Sequence, residues 1–160
     1  MSKVLRLYDR VLEYAVYPQS AFLLLIRLYW GVQLAQSGWG KLHHLDKVTE
    51  YFQSINVPMP GPTAHLIATL ELVGGLLWCL GLFSRPISLI LTINLIAAYW
   101  FGDHEALLSF FSDPDKFQAA APFIFLFVAL VVLLFGPGCI SLDTLLRKLM
   151  GKPAPAAPNR

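Results

Sequence analysis

The stretch from residue 63 to residue 83, TAHLIATLELVGGLLWCLGLF, decides the fold. Glu71 is the one residue among Asp, Glu, Lys and Arg that interrupts this apolar run. A helix needs about 20 mainly apolar residues to cross roughly 30 Å of bilayer hydrocarbon. We therefore predict that this stretch is a transmembrane helix.

The composition of the whole chain agrees with a lipid environment. Its 160 residues are 56% hydrophobic and only 14% charged, whereas soluble domains carry roughly 25% charged residues. The 13% aromatic content excludes general disorder. A net charge of +2 excludes nucleic-acid binding driven by a strong positive field.

Three more apolar stretches accompany the first, at about residues 18–38, 86–101 and 117–135. They predict an all-α membrane protein, a bundle of four transmembrane helices that forms one domain over residues 1–150. We expect the first span to be retained rather than removed as a signal peptide, because Arg27 lies near its middle. The Pro- and Ala-rich residues 151–160 are predicted to be a disordered cytoplasmic tail.

Three shorter segments have the amphipathic pattern of helices that lie on a membrane surface. They are the N-terminal residues 3–15, residues 42–55, and residues 142–149, where Ser141 is the predicted N-cap. A proline-rich breaker at residues 58–62 separates the second of them from the next span.

Basic residues fix the predicted orientation of the bundle. Lys and Arg are enriched in cytoplasmic loops, and one face of the bundle carries eight of the twelve, against three on the other. The first face carries Lys3, Arg6, Arg10, Arg85, Arg147, Lys148, Lys152 and Arg160, and the second carries Lys41, Lys47 and Lys116. Both termini are therefore predicted to be cytoplasmic.

The remaining basic residue, Arg27, and Glu71 lie at membrane depth, where each needs a polar partner. From their depths in neighbouring antiparallel helices we predict an Arg27–Glu71 ion pair. Asn94, in the middle of the third span, is expected to complete this polar core or to bond neighbouring helices. The alternative is that the pair only fixes helix register.

The motifs around these residues resemble the DoxX family over residues 17–135. The resemblance rests on the runs Arg27-Leu-Tyr-Trp-Gly31, Gln36-Ser-Gly-Trp-Gly-Lys41, Glu71-Leu-Val-Gly-Gly75 and Leu80-Gly-Leu-Phe-Ser-Arg85. It implies a small inner-membrane protein linked to redox enzymes. One branch of the family is similar to the small subunit of thiosulfate:quinone oxidoreductase, and others associate with oxidative-stress proteins. Arg27, Lys41 and Glu71 are the positions that the resemblance carries over.

A quinone is the ligand that would suit such a site. Its flat ring needs apolar walls and one or two hydrogen-bond donors, for which Trp30 and Trp78 are candidate walls and Arg27 or Lys41 candidate donors. Glu71 would relay protons. An aromatic belt at the membrane surface is the alternative explanation for tryptophans of this kind.

The chain itself offers no redox cofactor ligands. Its two cysteines, Cys79 and Cys139, form no Cys-x-x-Cys motif. We therefore expect no autonomous catalytic motif and at most a subunit of a quinone-dependent oxidoreductase. The alternatives are a non-catalytic scaffold that recruits a redox partner, and a small-solute transporter that works as an oligomer. The expected partners are the lipid bilayer and either a redox protein or further copies of the chain.

A divalent metal site is a further alternative on the outer face. Its candidate ligands are His43, Asp46, Glu50 and His104, the first three of which share one helical face. Solvated interfacial side chains are the preferred interpretation, because no recognised ligand spacing is present. No metal is predicted.

Overall fold

The computed structural model describes the backbone of residues 3–151 and the side chains of residues 18–151. Every regular element in that part of the chain is helical, which confirms the all-α class. The tail predicted for residues 151–160 lies outside the described residues except for Gly151. In chain order the helices are α1 (Lys3–His43), α2 (Leu45–Ser54), α3 (Pro60–Leu80), α4 (Ser84–Phe101), α5 (His104–Leu108), α6 (Pro114–Ala119), α7 (Pro122–Phe135) and α8 (Leu142–Leu149).

The first helix is longer than predicted. The N-terminal surface helix and the first span form one continuous helix, α1, with Pro18 inside it. A proline within a helix removes only one backbone donor, and membrane helices tolerate this loss. The two other amphipathic segments are separate helices, α2 and α8, and Ser141 caps α8 as predicted, accepting a hydrogen bond from the backbone N–H of Thr144.

The fourth predicted span is interrupted. The stretch 117–135 contains the end of α6, an extended residue at Ala120, and then α7 from Pro122. Pro122 has no N–H to continue a helix from α6, but its fixed φ suits the first turn of a new one. With 14 residues, α7 is about 21 Å long and shorter than the hydrocarbon core.

Two helices of the described chain, α3 and α4, are long and apolar enough to cross a membrane. Of the four predicted transmembrane helices, two therefore have the length and composition that a span requires. The helix α7 is apolar but short, and α1 carries Arg27 and several amides within its span.

Two pairs of helices build the bundle, α1 with α3 and α4 with α7. Glycines bring α1 and α3 into close contact, because a Cβ on Gly31 would lie 2.8 Å from the carbonyl oxygen of Gly75. Apolar side chains fill the space between the pairs, while many large ones, among them Leu25, Leu66 and Leu134, are exposed on the outer surface. The core consists of Leu34, Trp78, Ile87, Leu91, Leu95, Val128, Ala129 and Val132.

Candidate functional site

A cavity of about 660 Å³ lies at the end of the bundle where α1 ends and α3 begins. This volume is in the range typical of small-molecule sites. Helices α1, α3 and α4 supply polar groups to it, and α2 contributes one wall. Its polar lining includes Ser37, Lys41, Glu71 and Asn94.

A buried carboxylate lies on the α3 side of the cavity. Lys41 Nζ donates a hydrogen bond to Glu71 Oε1 at 2.5 Å, and Ser37 Oγ donates to Glu71 Oε2 at 2.9 Å. The Glu71 side chain is 7% exposed, and that of Lys41 is 31% exposed. Both carboxylate oxygens therefore have donors, and Lys41 keeps N–H groups that are accessible from the cavity.

Asn94 contributes an amide on the α4 side. Its residue is half-buried and lines the cavity. In the described part of the chain, no hydrogen bond joins its side chain to another residue. A polar group at membrane depth needs a partner, so this amide is available to a molecule within the cavity, as donor and as acceptor.

The predicted Arg27–Glu71 ion pair is wrong. Arg27 is fully buried (0% exposed), and its guanidinium donates to three backbone carbonyl oxygens instead. These are Leu23 O at 3.2 Å, Trp78 O at 3.2 Å and Ile140 O at 2.7 Å. Arg27 thus joins α1, the C-terminal end of α3 and the segment before α8, and Lys41 is the cation that pairs with Glu71.

The register between α1 and α3 explains the correction. Gly31 lies against Gly75 and Gly38 lies against Ala68. Because the helices are antiparallel, Glu71 comes opposite the turn of α1 that contains Ser37. Arg27 is ten residues before Ser37, or about 15 Å away along the helix axis. An arginine side chain does not span that distance.

Neither predicted aromatic wall lines the cavity. Trp78 is fully buried in the core, where its Nε1 donates to Ser88 Oγ at 2.9 Å. Trp30 packs edge-on against Phe125, with 5.7 Å between the ring centroids, and it is Phe125 that lines the cavity. The aromatic residues that do line the cavity were not among the predicted site residues. They are Tyr51, Phe52, Phe101 and Phe125.

The missed wall had a detectable signal in the amphipathic stripe of α2. That stripe was assigned to the membrane surface, but its residues Phe52 and Ile55 line the cavity. The α2 helix packs mainly against α3. It therefore covers the site from the side, and this placement explains why its apolar residues recur at helical spacing.

The candidate metal ligands are not assembled into a site. Within the residues that the structure describes, no group of three or more His, Cys, Asp or Glu side chains could hold a metal ion. His43 Nδ1 instead lies 2.9 Å from the carbonyl oxygen of Trp39, one turn earlier in α1. The described residues of this face therefore do not form a metal site.

The cavity is chemically suited to an amphiphile with a neutral polar head. Lys41 and Glu71 cancel in charge, while Lys41 and Asn94 have hydrogen-bonding capacity to spare. The remainder of the lining is mainly apolar and aromatic. Convergent polar groups in an apolar pocket are the usual signature of a site that orients a small hydrophobic molecule.

Comparison with known proteins identifies a relative and a family. The family model for DoxX matches residues 22–105, the segment that contains Ser37, Lys41, Glu71 and Asn94. The "putative oxidoreductase CatD" of Bacillus subtilis (strain 168) is 32% identical over 75 residues, which are 47% of this chain and 54% of that protein. The chain therefore spans about half the length of the curated relative that it matches. No solved structure matches the chain.

Proposed function

Because the chain belongs to the DoxX family of membrane proteins, we propose that it is the membrane subunit of a quinone-linked oxidoreductase and holds the quinone in the cavity beside Lys41, Glu71 and Asn94. The observation that carries the proposal is the amide of Asn94, which has no hydrogen-bond partner among the described residues and lines an apolar cavity next to a charge-neutral Lys–Glu pair. The name of the Bacillus subtilis relative, a putative oxidoreductase, gives independent support for redox chemistry.

We propose that α1, α3, α4 and α7 all cross the membrane. The exposed apolar side chains on α1 and α7, such as Leu25, Phe127 and Leu134, would then contact lipid like those on α3 and α4. The excess of basic residues at the end opposite the cavity favours a cytoplasmic location for that end. The cavity would accordingly lie in the outer half of a bacterial inner membrane.

The lining fits the head group and chain of a quinone. Lys41 Nζ and the Asn94 amide can donate to carbonyl oxygens, and Phe52 and Phe125 supply flat apolar surfaces. When bound, a quinone supplies the capacity to accept two electrons and two protons. Glu71 holds Lys41 in place and is the chain's own candidate for accepting or delivering a proton at Oε1.

Asn94→Leu tests the proposal without disturbing the fold. Asn94 makes no hydrogen bond within the described residues, so we expect its replacement to leave thermal unfolding unchanged or slightly raised. Loss of one hydrogen bond to a neutral ligand weakens binding by about 0.5–1.5 kcal/mol, and steric occupation by leucine adds to this. Binding of a radiolabelled short-chain quinone to the protein in nanodiscs should therefore weaken roughly tenfold or more.

The matched control is Thr92→Val, on the same helix. Thr92 Oγ1 donates to the Ser88 carbonyl oxygen at 2.7 Å and does not line the cavity. We expect this variant to bind quinone like the unmodified protein. Equal affinities for the unmodified protein, Asn94→Leu and Thr92→Val would rule out the cavity as the quinone site.

A scaffold that recruits a redox partner is the second candidate function. It is favoured by the loop between α5 and α6, where Phe111 is 92% exposed beside Phe110 and Leu108. Exposed apolar groups of this kind are typical of contact surfaces. Extraction in mild detergent and mass spectrometry distinguish the two, because a subunit of the proposed kind retains quinone and a pure scaffold retains only its partner protein.

A further inference from the structure

The helix α8, at the end of the bundle opposite the cavity, has an apolar face that no other described part of the chain covers. None of its residues is buried, and Leu149 is 76% exposed. The leucines recur at three- and four-residue steps and so lie on one side of the helix. They are Leu142, Leu145, Leu146 and Leu149.

Polar contacts fix the start of α8 against the bundle. Asp143 Oδ1 accepts a hydrogen bond from the backbone N–H of Phe83 at 2.8 Å, and Oδ2 accepts one from that of Ser84 at 2.9 Å. The backbone N–H of Asp143 donates to Gly81 O at 2.9 Å. A carboxylate at the N-terminus of α4 is favourable for the helix dipole, so this attachment determines how α8 is rotated.

That rotation separates the faces of α8. At about 100° per residue, the leucine stripe lies roughly a quarter turn from Asp143 and its attachment to the bundle. Arg147 and Lys148 lie on the side of the helix away from the leucines, and both are exposed. A helix with leucines along one side and basic residues on the other has the arrangement of a helix in a membrane interface.

The charges at this end of the bundle are unbalanced. Arg85, Arg147 and Lys148 are exposed and form no ion pair with any described acidic residue. Asp143 is the one described carboxylate at this end, and the backbone of the α3–α4 turn occupies it. The surface therefore complements a partner that is negatively charged and apolar together.

We propose that α8 and Arg85 form a binding surface for acidic phospholipids in the leaflet at this end of the bundle. The leucine stripe enters the acyl chains, while Arg85, Arg147 and Lys148 contact the head-group phosphates. Leu134 and Phe135 at the end of α7 and Phe83 in the turn that binds Asp143 are also exposed at this end of the bundle. Exposed apolar side chains at the ends of the spans favour lipid over a soluble protein as the occupant.

A spin label at position 149 tests this proposal on the full-length protein. The label is attached to Leu149→Cys in a background with Cys79→Ala and Cys139→Ala, and the protein is placed in nanodiscs of phosphatidylcholine alone or with phosphatidylglycerol. We expect the ratio of collisions with oxygen to collisions with a water-soluble nickel chelate to rise in the phosphatidylglycerol bilayer, because α8 is then held deeper.

Arg147→Gln with Lys148→Gln should remove this dependence on lipid charge, and Arg147→Lys with Lys148→Arg is the matched control that keeps it. Each basic residue near an acidic surface contributes roughly fivefold in affinity, so the loss for two residues should be about 25-fold. An equal ratio in both bilayers would overturn the proposal. So would a label exposed to water in both, the result expected if α8 docks a soluble protein. Quinone binding is expected to stay unchanged in all these variants, because α8 does not line the cavity.

Discussion

Lys41→Met is expected to lower the free energy of unfolding by about 3 kcal/mol, the lower end of the cost of removing one partner from a buried ion pair, because Lys41 itself is partly exposed. The substitution leaves the Glu71 carboxylate, only 7% exposed, with Ser37 as its remaining described hydrogen-bond donor. Thermal and denaturant unfolding in detergent micelles measure this loss. Quinone affinity should fall as well, because Lys41 is one of the hydrogen-bond donors that line the cavity.

Glu71→Met provides the matched comparison and should cost less. The Lys41 side chain that it leaves behind is 31% exposed, so its ammonium group can reach water in the cavity. The double variant Lys41→Met with Glu71→Met should recover most of the stability, because neither charge is then left alone. Single-variant losses that simply add in the double variant would contradict the pairing of Lys41 with Glu71.

Gly75→Ala is expected to destabilise the protein by about 3 kcal/mol, at the upper end of the usual cost of overpacking. A Cβ at this position would lie 2.5 Å from Ala35 N and 2.5 Å from Gly31 O. Both are backbone atoms, so α1 and α3 must move apart as whole helices. The shift in the thermal unfolding midpoint measures the effect.

The control for this prediction is Gly40→Ala in α1, the helix against which Gly75 packs. A Cβ on Gly40 would meet no other atom within 4 Å. Alanine is the better helix former, by roughly 1 kcal/mol in a helix interior. Gly40→Ala should therefore leave stability unchanged or raise it, and equal losses in Gly75→Ala and Gly40→Ala would contradict the close contact of α1 with α3.

The helices were predictable from the sequence because their signals are local. Apolar runs of sufficient length give α3 and α4, and the amphipathic repeat together with a serine N-cap gives α8. The break between α6 and α7 was also encoded locally, at Pro122, but the hydropathy of residues 117–135 averaged over it. Proline within a helix costs one backbone hydrogen bond and strains the preceding turn. The sequence pattern does not show whether the rest of α1 outweighs this cost at Pro18.

The pairing at the site was not predictable from depth alone. Arg27 and Glu71 are both deep in their spans, yet the register of α1 on α3 separates them by about three helical turns. The small residues already contained this register, since aligning Gly31 with Gly75 and Gly38 with Ala68 places Arg27 opposite the last turn of α3. The contacts of Arg27 with the segment before α8 are long-range and have no local signal.

The cavity itself comes from packing rather than from any one motif. Lys41, Glu71 and Asn94 were candidate site residues, and the structure brings all three to one cavity, although each comes from a different helix. Arg27, Trp30 and Trp78 were candidates too, and none of them lines it. The stripe of α2 indicated a covered face but not what covers it, because an amphipathic stripe looks the same whether lipid or a cavity lies against it.

Photolabelling tests the central claim most directly, namely that a quinone occupies the cavity beside Lys41, Glu71 and Asn94. A photoreactive short-chain quinone analogue is activated with the protein in nanodiscs, and the adducts are mapped by mass spectrometry with and without excess unlabelled quinone. We expect adducts on α2 near Tyr51 and Phe52 and at the cavity end of α4 near Phe101. Excess unlabelled quinone should suppress these adducts. Competed adducts around Arg27, or adducts confined to the lipid-facing surface and insensitive to competition, would contradict it.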